Sequence, residues 1–160
     1  MFFNVTVPLE KEESMNIRTS TMVAGVRGTC GWFEVSDDWA TRVYLLTGKL
    51  ECLVVNPIDD NSENSAITPG NYSDFLVFPA AENQGQQTTR IESGSFTKED
   101  IPGFVLVELV GDDALIQKIY EESGIDLRGL TMEEAKAKLA KDQEEHAKKQ
   151  EKIDDDAIEE

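Results

Sequence analysis

Residues 21–110 consist of short apolar runs separated by turn-forming residues, and this pattern constrains the fold more than any other feature of the chain. The runs are rich in Val, Phe, Tyr, Trp and Leu, while Gly, Pro, Asn and Asp stand between them. β-Branched and aromatic side chains favour strands, and no alternation of strands with helical segments is visible. The pattern predicts a mainly β body, a small β-barrel or β-tulip-like fold with one or two short helices.

The apolar runs also place individual strands. Strands are predicted at six of them, which are Trp32–Val35, Trp39–Leu46, Lys49–Val55, Asp74–Phe78, Thr88–Glu92 and Phe104–Val110. The two residues Thr47-Gly48 join the second run to the third, and a two-residue connection ending in glycine is typical of a β-hairpin. Side chains alternate along a strand, so Leu50, Cys52 and Val54 are expected on one face of the third run.

One helix is predicted in the body, after the last of these strands. Asp112 or Asp113 is a suitable N-cap, because its carboxylate accepts from free backbone amides of the first turn. Apolar residues then recur at helical spacing, at Leu115, Ile116, Ile119 and Tyr120. Gly124 is the expected end of this helix.

Charge and pattern divide the chain into an N-terminal arm (1–20), the β-rich body (21–130) and an acidic tail (131–160). The tail holds 11 acidic and 6 basic residues and no aromatic one. Thr131-Met132-Glu133-Glu134 is a capping-box sequence and predicts a helix there. Because no continuous apolar stripe follows, we expect an exposed, marginal helix that ends in disorder at Asp154-Asp155-Asp156. We favour a solvated tail over a partner-binding helix.

A polar connection at 56–71 is too long for a hairpin turn, and loops of this length are mostly functional or disordered. Within it, Asp59-Asp60-Asn61-Ser62-Glu63 is only partly like a calcium-binding loop. Asn64 stands where such a loop requires glycine, and Gly70 stands where it requires a bidentate Glu. We therefore predict no calcium site.

The net charge limits the classes of partner. The 160 residues carry 32 acidic and 15 basic side chains, a formal charge of −17. Nucleic acid phosphates and anionic membranes both require clustered Lys and Arg, so neither is an expected partner. No apolar run approaches the roughly 20 residues that cross a bilayer, and the N-terminus lacks the features of a cleaved secretion signal. We expect a single domain with short appendages, assembled in the cytoplasm.

Residues that could perform chemistry are few. The one histidine, His146, lies in a run of Lys, Glu and Asp, where an imidazole is solvated and serves as neither ligand nor base. Cys30 and Cys52 are expected to be small buried residues, and they could form a disulfide only if two strands bring them together. Trp32, Phe33 and Trp39 could form a stacking platform, but core packing is the stronger expectation. We predict no catalytic site, no metal and no cofactor.

Taken in order, the body resembles the head decoration, or capsid-stabilising, proteins of tailed bacteriophages of the lambda type. The resemblance covers residues 21–128 and is one of pattern. It comprises Arg27-Gly28-Thr29 before a strand, a Thr47-Gly48-Lys49-Leu50 hairpin, Thr68-Pro69-Gly70 before Asp74–Phe78, the strand Arg90 to Ser93 ending in Gly94-Ser95-Phe96, and a closing helix from Ala114 that leads to Gly124-Ile125-Asp126-Leu127-Arg128. The segment Thr97–Val110 and the acidic tail depart from the family pattern.

The resemblance implies a structural protein that forms homotrimers on the outside of an expanded phage head. Its partner would be the major capsid protein, and its final location would be the virion surface. Gly94, Phe96, Gly124 and Ile125 would be structural residues of that pattern.

The N-terminal arm is the candidate capsid-binding element. Its candidate binding residues are Phe2, Phe3, Asn4, Val5, Thr6 and Val7. An extended arm of this kind can add a strand to an exposed sheet edge of its target. Val5 and Val7 could equally form the first strand of the body's own sheet, and the sequence leaves both interpretations open.

Two other functions remain as alternatives. The charge of −17 would also suit an acidic protein that mimics DNA and inhibits a host nucleic acid enzyme, although the dense acidic rows of a duplex mimic are not visible. A small β-barrel could instead bind a small molecule in the manner of a cupin. The metal-binding form of such a barrel is disfavoured because the body contains no histidine.

Overall fold

A computed structural model describes residues 1–5, 15–19, 22–26, 28–35, 40–54, 64–78 and 88–158 of the chain. The strands are β1 (Phe2–Val5), β2 (Met15–Arg18), β3 (Met22–Val26), β4 (Thr29–Val35), β5 (Thr41–Thr47), β6 (Leu50–Val54), β7 (Asn64–Ile67), β8 (Asn71–Phe78) and β9 (Thr88–Ser95). After a short 3₁₀ helix at Lys98–Asp100, the helices are α1 (Gly103–Leu109), α2 (Asp113–Ser123) and α3 (Met132–Ile158).

The body is mainly β, as predicted, and its described strands form two antiparallel sheets that do not close into one barrel. The large sheet has the order β1-β4-β5-β8-β9, and the small sheet has the order β2-β3-β6-β7. The chain passes from one sheet to the other between successive pairs of strands, so each sheet is assembled from segments distant in sequence. The predicted strands at Trp32–Val35, Asp74–Phe78 and Thr88–Glu92 are confirmed within β4, β8 and β9.

The predicted hairpin at Thr47-Gly48 is wrong. Strand β5 pairs with β4 and β8 in the large sheet, whereas β6 pairs with β3 and β7 in the small sheet. Gly48 is therefore a corner between the sheets, with φ +85° and its N–H donated to Glu122 Oε1 at 2.9 Å. Both edges of β5 are already paired, with β4 on one side and β8 on the other, so β6 cannot join the same sheet next to it.

Two hydrophobic clusters stabilise the body. The inter-sheet core lies between the two sheets and includes Phe3, Phe33, Leu45, Leu50, Cys52 and Phe75. The helix-side core lies between the large sheet and the helices and includes Trp32, Tyr44, Phe96, Leu109, Ile119 and Leu127. Leu50 and Cys52 are buried on the same face of β6 and Val54 packs beside them, which confirms the alternation predicted for this strand.

The strand predicted at Phe104–Val110 is wrong, because this segment forms helix α1. Its buried residues, Gly103, Val105, Leu106 and Leu109, recur at helical spacing, while Phe104 and Glu108 stay exposed. A run of Phe, Val and Leu has the composition of a strand, but here the adjoining helices and sheet decide its conformation.

Helix α2 is confirmed at both ends. Asp112 is the N-cap, and its carboxylate accepts from the Leu115 N–H at 3.1 Å. Gly124 is the left-handed C-cap, with φ +77°. Tyr120 is exposed, so the buried face is narrower than predicted, and the Arg128 guanidinium lies 3.9 Å from the Tyr120 ring centre.

Helix α3 begins at the predicted capping residue, with Thr131 Oγ1 accepting from the Glu134 N–H at 3.2 Å. Two expectations about the tail are wrong. The helix continues through Asp154-Asp155-Asp156 to Ile158, and its first half packs on α1 instead of standing free. The backbones of α1 and α3 approach so closely at Gly103 that a Cβ there would overlap the backbone of Leu139. The two helices can therefore pack together without an apolar stripe on α3.

The connection predicted at 56–71 contains a strand. Asn64–Ile67 forms β7 and pairs with β6, with Ile67 opposite Leu50. Asp59 to Glu63, which were compared with a calcium loop, lie outside the described residues.

Candidate binding surface

Strand β1, the described part of the N-terminal arm, pairs antiparallel with β4 in the large sheet. Phe3 is buried opposite Gly31, and the absence of a side chain on Gly31 leaves room for the Phe3 ring, which lies 5.0 Å from that of Phe33. Of the two interpretations of the arm, residues 2–5 therefore adopt the second, a strand of the protein's own sheet. Thr6 and Val7 lie outside the described residues.

No other described strand pairs with the second edge of β1, and the hydrogen-bond pattern shows which backbone groups point there. Met1 and Phe33 exchange two bonds, since the Met1 amino group donates to Phe33 O at 2.8 Å and the Phe33 N–H donates to Met1 O at 2.8 Å. Bonded and unbonded positions alternate in an antiparallel pair. Phe2 and Asn4 therefore point their backbone N–H and C=O groups away from β4, at the edge of the sheet.

Two of the three other edges in the described sheets carry charged side chains, whereas the third, strand β7 of the small sheet, is uncharged like β1. At the opposite edge of the large sheet, β9 carries exposed Arg90 and Glu92, and in the small sheet the edge strand β2 carries exposed Arg18. Charged side chains of this kind discourage pairing with another chain. Strand β1 has the sequence Phe-Phe-Asn-Val and carries no charged side chain. Its edge is therefore competent for strand addition.

Two cavities share the side chain of Phe104, and the first of them adjoins β1. One, of about 590 Å³, is lined by Met1, Phe2, Phe104 and Glu108. The other, of about 510 Å³, lies towards α3 and is lined by Glu34, Asp100, Pro102, Phe104, Lys138, Leu139, Asp142, Gln143, His146 and Ala147. We call these two cavities together the Phe104 groove. Phe104 is 38% exposed and Met1 60% exposed, so the groove presents apolar surface to solvent.

Negative charge predominates along the Phe104 groove, where the carboxylates belong to Glu34, Asp100, Glu108 and Asp142. Its lysine, Lys138, is paired with Asp142 at 2.8 Å. Burial opposes ionisation of Asp142, but hydrogen bonds from the Gly103 N–H and Lys138 prevail and lower the pKa of Asp142. Burial lowers the pKa of the Met1 amino group. The groove therefore offers an anionic, partly apolar surface.

A polar network lies on the helix-side face of the large sheet, next to the groove. Glu34 accepts from Trp32 Nε1 at 3.2 Å, and Arg42 donates twice to Asp74, with Nε–Oδ1 at 2.9 Å. The Arg42 guanidinium lies 4.5 Å from the Tyr72 ring centre. The bond with Asp74 raises the pKa of Arg42, so this charge is permanent. We did not predict this network, although Arg42 and Asp74 each lie two residues from a tyrosine on the same strand face.

The aromatic residues named from the sequence lie in the core. Trp32 is completely buried and stacks on Tyr44 with ring centres 4.3 Å apart, and Phe33 is also buried. Core packing is thus confirmed for Trp32 and Phe33. Trp39 lies outside the described residues.

Each of the four residues named from the family-like pattern has a structural position, in a strand, in the core or at a helix end. Gly94 lies opposite Tyr72, and a Cβ there would be 2.7 Å from the tyrosine oxygen. Phe96 is buried, with its ring centre 5.2 Å from that of Trp32. Gly124 caps α2, and Ile125 is buried after it. None of the four lines the Phe104 groove.

The two cysteines and the histidine belong to three different parts of the fold. Cys30 and Cys52 are buried in different cores as free thiols, and burial raises the pKa of each to about 12. His146 lies on α3 and lines the groove. Within the described residues, no group of three or more His, Cys, Asp or Glu could hold a metal ion. No helix in the described part of the chain is apolar enough over a sufficient length to cross a membrane.

Two structural features bear on the alternative functions. Side chains fill the space between the sheets, where Met22, Leu45 and Phe75 are completely buried, and a cupin-like ligand would require that space. On α3, lysines alternate with acids in the ion pairs Lys138–Asp142 and Lys148–Glu144. A DNA mimic would need uninterrupted rows of carboxylates.

No family model, no curated protein and no solved structure matches the chain. The open edge of β1 and the Phe104 groove beside it are therefore the features on which a function can be argued.

Proposed function

We propose that this chain is a non-enzymatic decoration protein that attaches to the outside of an expanded phage head and stabilises it. The sequence resemblance supports the target, and the open edge of β1 supports the mode of attachment. A protein with this role needs a rigid body and a binding edge, and it needs no reacting group. The major capsid protein is the proposed partner.

Attachment is proposed to occur by strand addition, in which an extended segment of the capsid protein pairs with β1. The outward N–H and C=O groups of Phe2 and Asn4 would take part. Each such hydrogen bond contributes about 0.5–1.5 kcal/mol net, so one copy would attach weakly through its backbone alone.

Oligomerisation would strengthen this attachment. If three copies associate, three weak contacts act at a high effective concentration and hold together far more tightly than one contact. We therefore propose a homotrimer on the capsid. Sedimentation equilibrium would show a mass of three chains, and a monomeric mass both in solution and on the capsid would contradict this part of the proposal.

Co-sedimentation with expanded, undecorated capsids tests the proposal, using a matched pair of variants at Asn4. Asn4→Pro removes an N–H that points away from β4, and the ring blocks the added strand while the bonds to β4 remain. Asn4→Ala keeps the N–H. We expect the natural chain and Asn4→Ala to pellet with capsids, and Asn4→Pro to stay in the supernatant.

Thermal unfolding of the three proteins is the control for folding. The melting temperature of Asn4→Pro should be close to that of Asn4→Ala, because neither removes a bond to β4. Failure of the natural chain to pellet with capsids would overturn the proposed target. Equal pelleting of both variants would overturn attachment through β1.

A further inference from the structure

We infer that the Phe104 groove is a second part of the same binding site and selects an extended protein segment with alternating apolar residues flanked by Lys or Arg. The inference rests on the strand addition of the proposed function, but it does not depend on the partner being a capsid. It adds the side-chain chemistry of the partner to the backbone pairing already proposed.

The geometry of a sheet places the partner's side chains. On a strand added beyond β1, every second side chain would point to the helix side of the large sheet, as Phe2 does. Phe2 lines the same cavity as Phe104 and Glu108, so this cavity lies on the helix side of the β1 edge. An apolar side chain of the partner at such a position could cover the exposed rings and displace water from them.

The charges of the groove favour a basic segment. Glu108 and Glu34 are exposed, and each lines one of the two cavities that share Phe104. Of the two cations of the groove, Lys138 is paired with Asp142, and the Met1 amino group donates to Phe33 O and interacts with Glu34, so the four carboxylates still outnumber the positive charges. Lys or Arg on either side of the apolar anchor would therefore meet carboxylates, and an acidic segment would be repelled.

A second copy of this chain fits the same surface poorly. Pairing of β1 with β1 of a second copy would bring two Glu108 side chains towards one another, since Glu108 lines the cavity beside the β1 edge. Like charges across an interface oppose association. We therefore assign the groove to a basic partner segment, and self-association becomes an outcome to be measured.

Selection from a random peptide library tests the inference, with the full chain as bait and mRNA-displayed peptides as the probe. We expect enriched peptides to carry net positive charge and apolar residues at alternate positions. Binding of the enriched peptides should weaken at least tenfold with Phe104→Ala, with Glu108→Lys and with Asn4→Pro.

Matched variants on other surfaces serve as controls. Leu53→Ala removes an exposed apolar side chain from the small sheet, and Glu121→Lys reverses an exposed charge on α2. Both should bind the enriched peptides within twofold of the natural chain. The inference would be overturned if the control variants lost peptide binding to the same extent. It would also be overturned if no peptides were enriched, or if the enriched peptides were acidic or lacked alternating apolar residues.

The same variants separate this inference from the proposed function. Capsid binding that is unaffected by Phe104→Ala and Glu108→Lys would reject the groove and leave decoration intact. Peptide selection as expected, together with no capsid binding, would retain the groove and reject decoration. A dimer that Glu108→Lys strengthens and Asn4→Pro abolishes would show that a second copy occupies the edge, and this would overturn the assignment to a basic partner.

Discussion

The two faces of the large sheet are covered to different extents. The small sheet covers one face with apolar side chains, and Leu45 and Phe75 there are completely buried. The helices cover the other face over Trp32 and Leu46 but leave the row that contains Arg42 and Asp74 partly open to solvent. Both faces contribute to stability, whereas the incompletely covered face also leaves some of its described side chains exposed to solvent, and the proposed binding surface lies there.

The lengths of the covering elements account for this difference. A sheet packs on a sheet over most of its area, whereas α2, which packs on β5, has 11 residues and α1 has seven. The polar network and the Phe104 groove lie where the helical layer ends. Substitutions in the Phe104 groove that keep the core contacts of both faces should therefore weaken binding and leave the stability of the protein nearly unchanged.

The largest effect is expected from one core substitution on each face of the large sheet. Phe75→Ala and Trp32→Ala each remove a completely buried ring, and each should lower the free energy of unfolding by about 3–5 kcal/mol in urea. Phe104→Ala, at the exposed groove, should lower it by less than about 1 kcal/mol. A Trp32→Ala loss as small as that of Phe104→Ala would show that the helices do not form a true core layer.

A second substitution tests the helix-covered face alone. Gly103→Ala would place a methyl group against the backbone of Leu139, so α1 and α3 would have to separate. Overpacking of this kind should lower the free energy of unfolding by about 1–3 kcal/mol. Protease cleavage within α3 should become faster while the inter-sheet core stays protected, and unchanged cleavage would contradict the close packing of the two helices.

A smaller effect is expected in the polar network at the edge of this face. Asp74→Asn removes the charge that pairs with Arg42, whose side chain is 39% exposed, so solvent limits the cost to about 1 kcal/mol. The matched variant Glu92→Gln alters the more exposed Arg90–Glu92 pair and should stay within about 0.5 kcal/mol of the natural chain. If both variants lose the same free energy of unfolding in urea, the Arg42–Asp74 network adds no more stability than an exposed ion pair.

The smallest expected effect is a pH dependence in the packing of α3. The pKa of Asp142 is lowered in the folded state, so its contribution to stability is present at neutral pH and is lost as the pH falls through that pKa. The protection factors of the α3 amides, which compare each exchange rate with the intrinsic rate at the same pH, should therefore fall in acid. Asp142→Asn should show a smaller fall, while Asp154→Asn, which lies beyond the contact with α1, should behave like the natural chain.

The sequence predicted those elements that carry their own signals, such as helix caps or an alternation of buried and exposed residues. Helix α2 carries its own caps at Asp112 and Gly124, and β6 shows its buried face through Leu50 and Cys52. The Thr47-Gly48 turn also looked local, but the choice of sheet for each flanking strand depends on β4, β8, β3 and β7. No two-residue pattern can encode that choice.

The parts of the candidate site that were missed depend on tertiary contacts. Phe104 was assigned to a strand because its neighbours are Val and Leu, and its exposure in the groove follows only once α1 is a helix. The docking of α3 was missed because Gly103, which permits it, contributes no apolar signal. The arm was expected to be extended over residues 2–7, and its described part forms a strand at Phe2–Val5, but its pairing with β4 could not be chosen over an external partner.

Hydrogen exchange at the Asn4 amide tests the central claim most directly, because this N–H points away from β4 and should bond only to an added strand. The measurement compares the free protein with the protein bound to expanded capsids, by mass spectrometry resolved to single residues. Strand addition predicts that Asn4 exchange slows at least tenfold on binding. Full binding to capsids with unchanged exchange at Asn4 would contradict it.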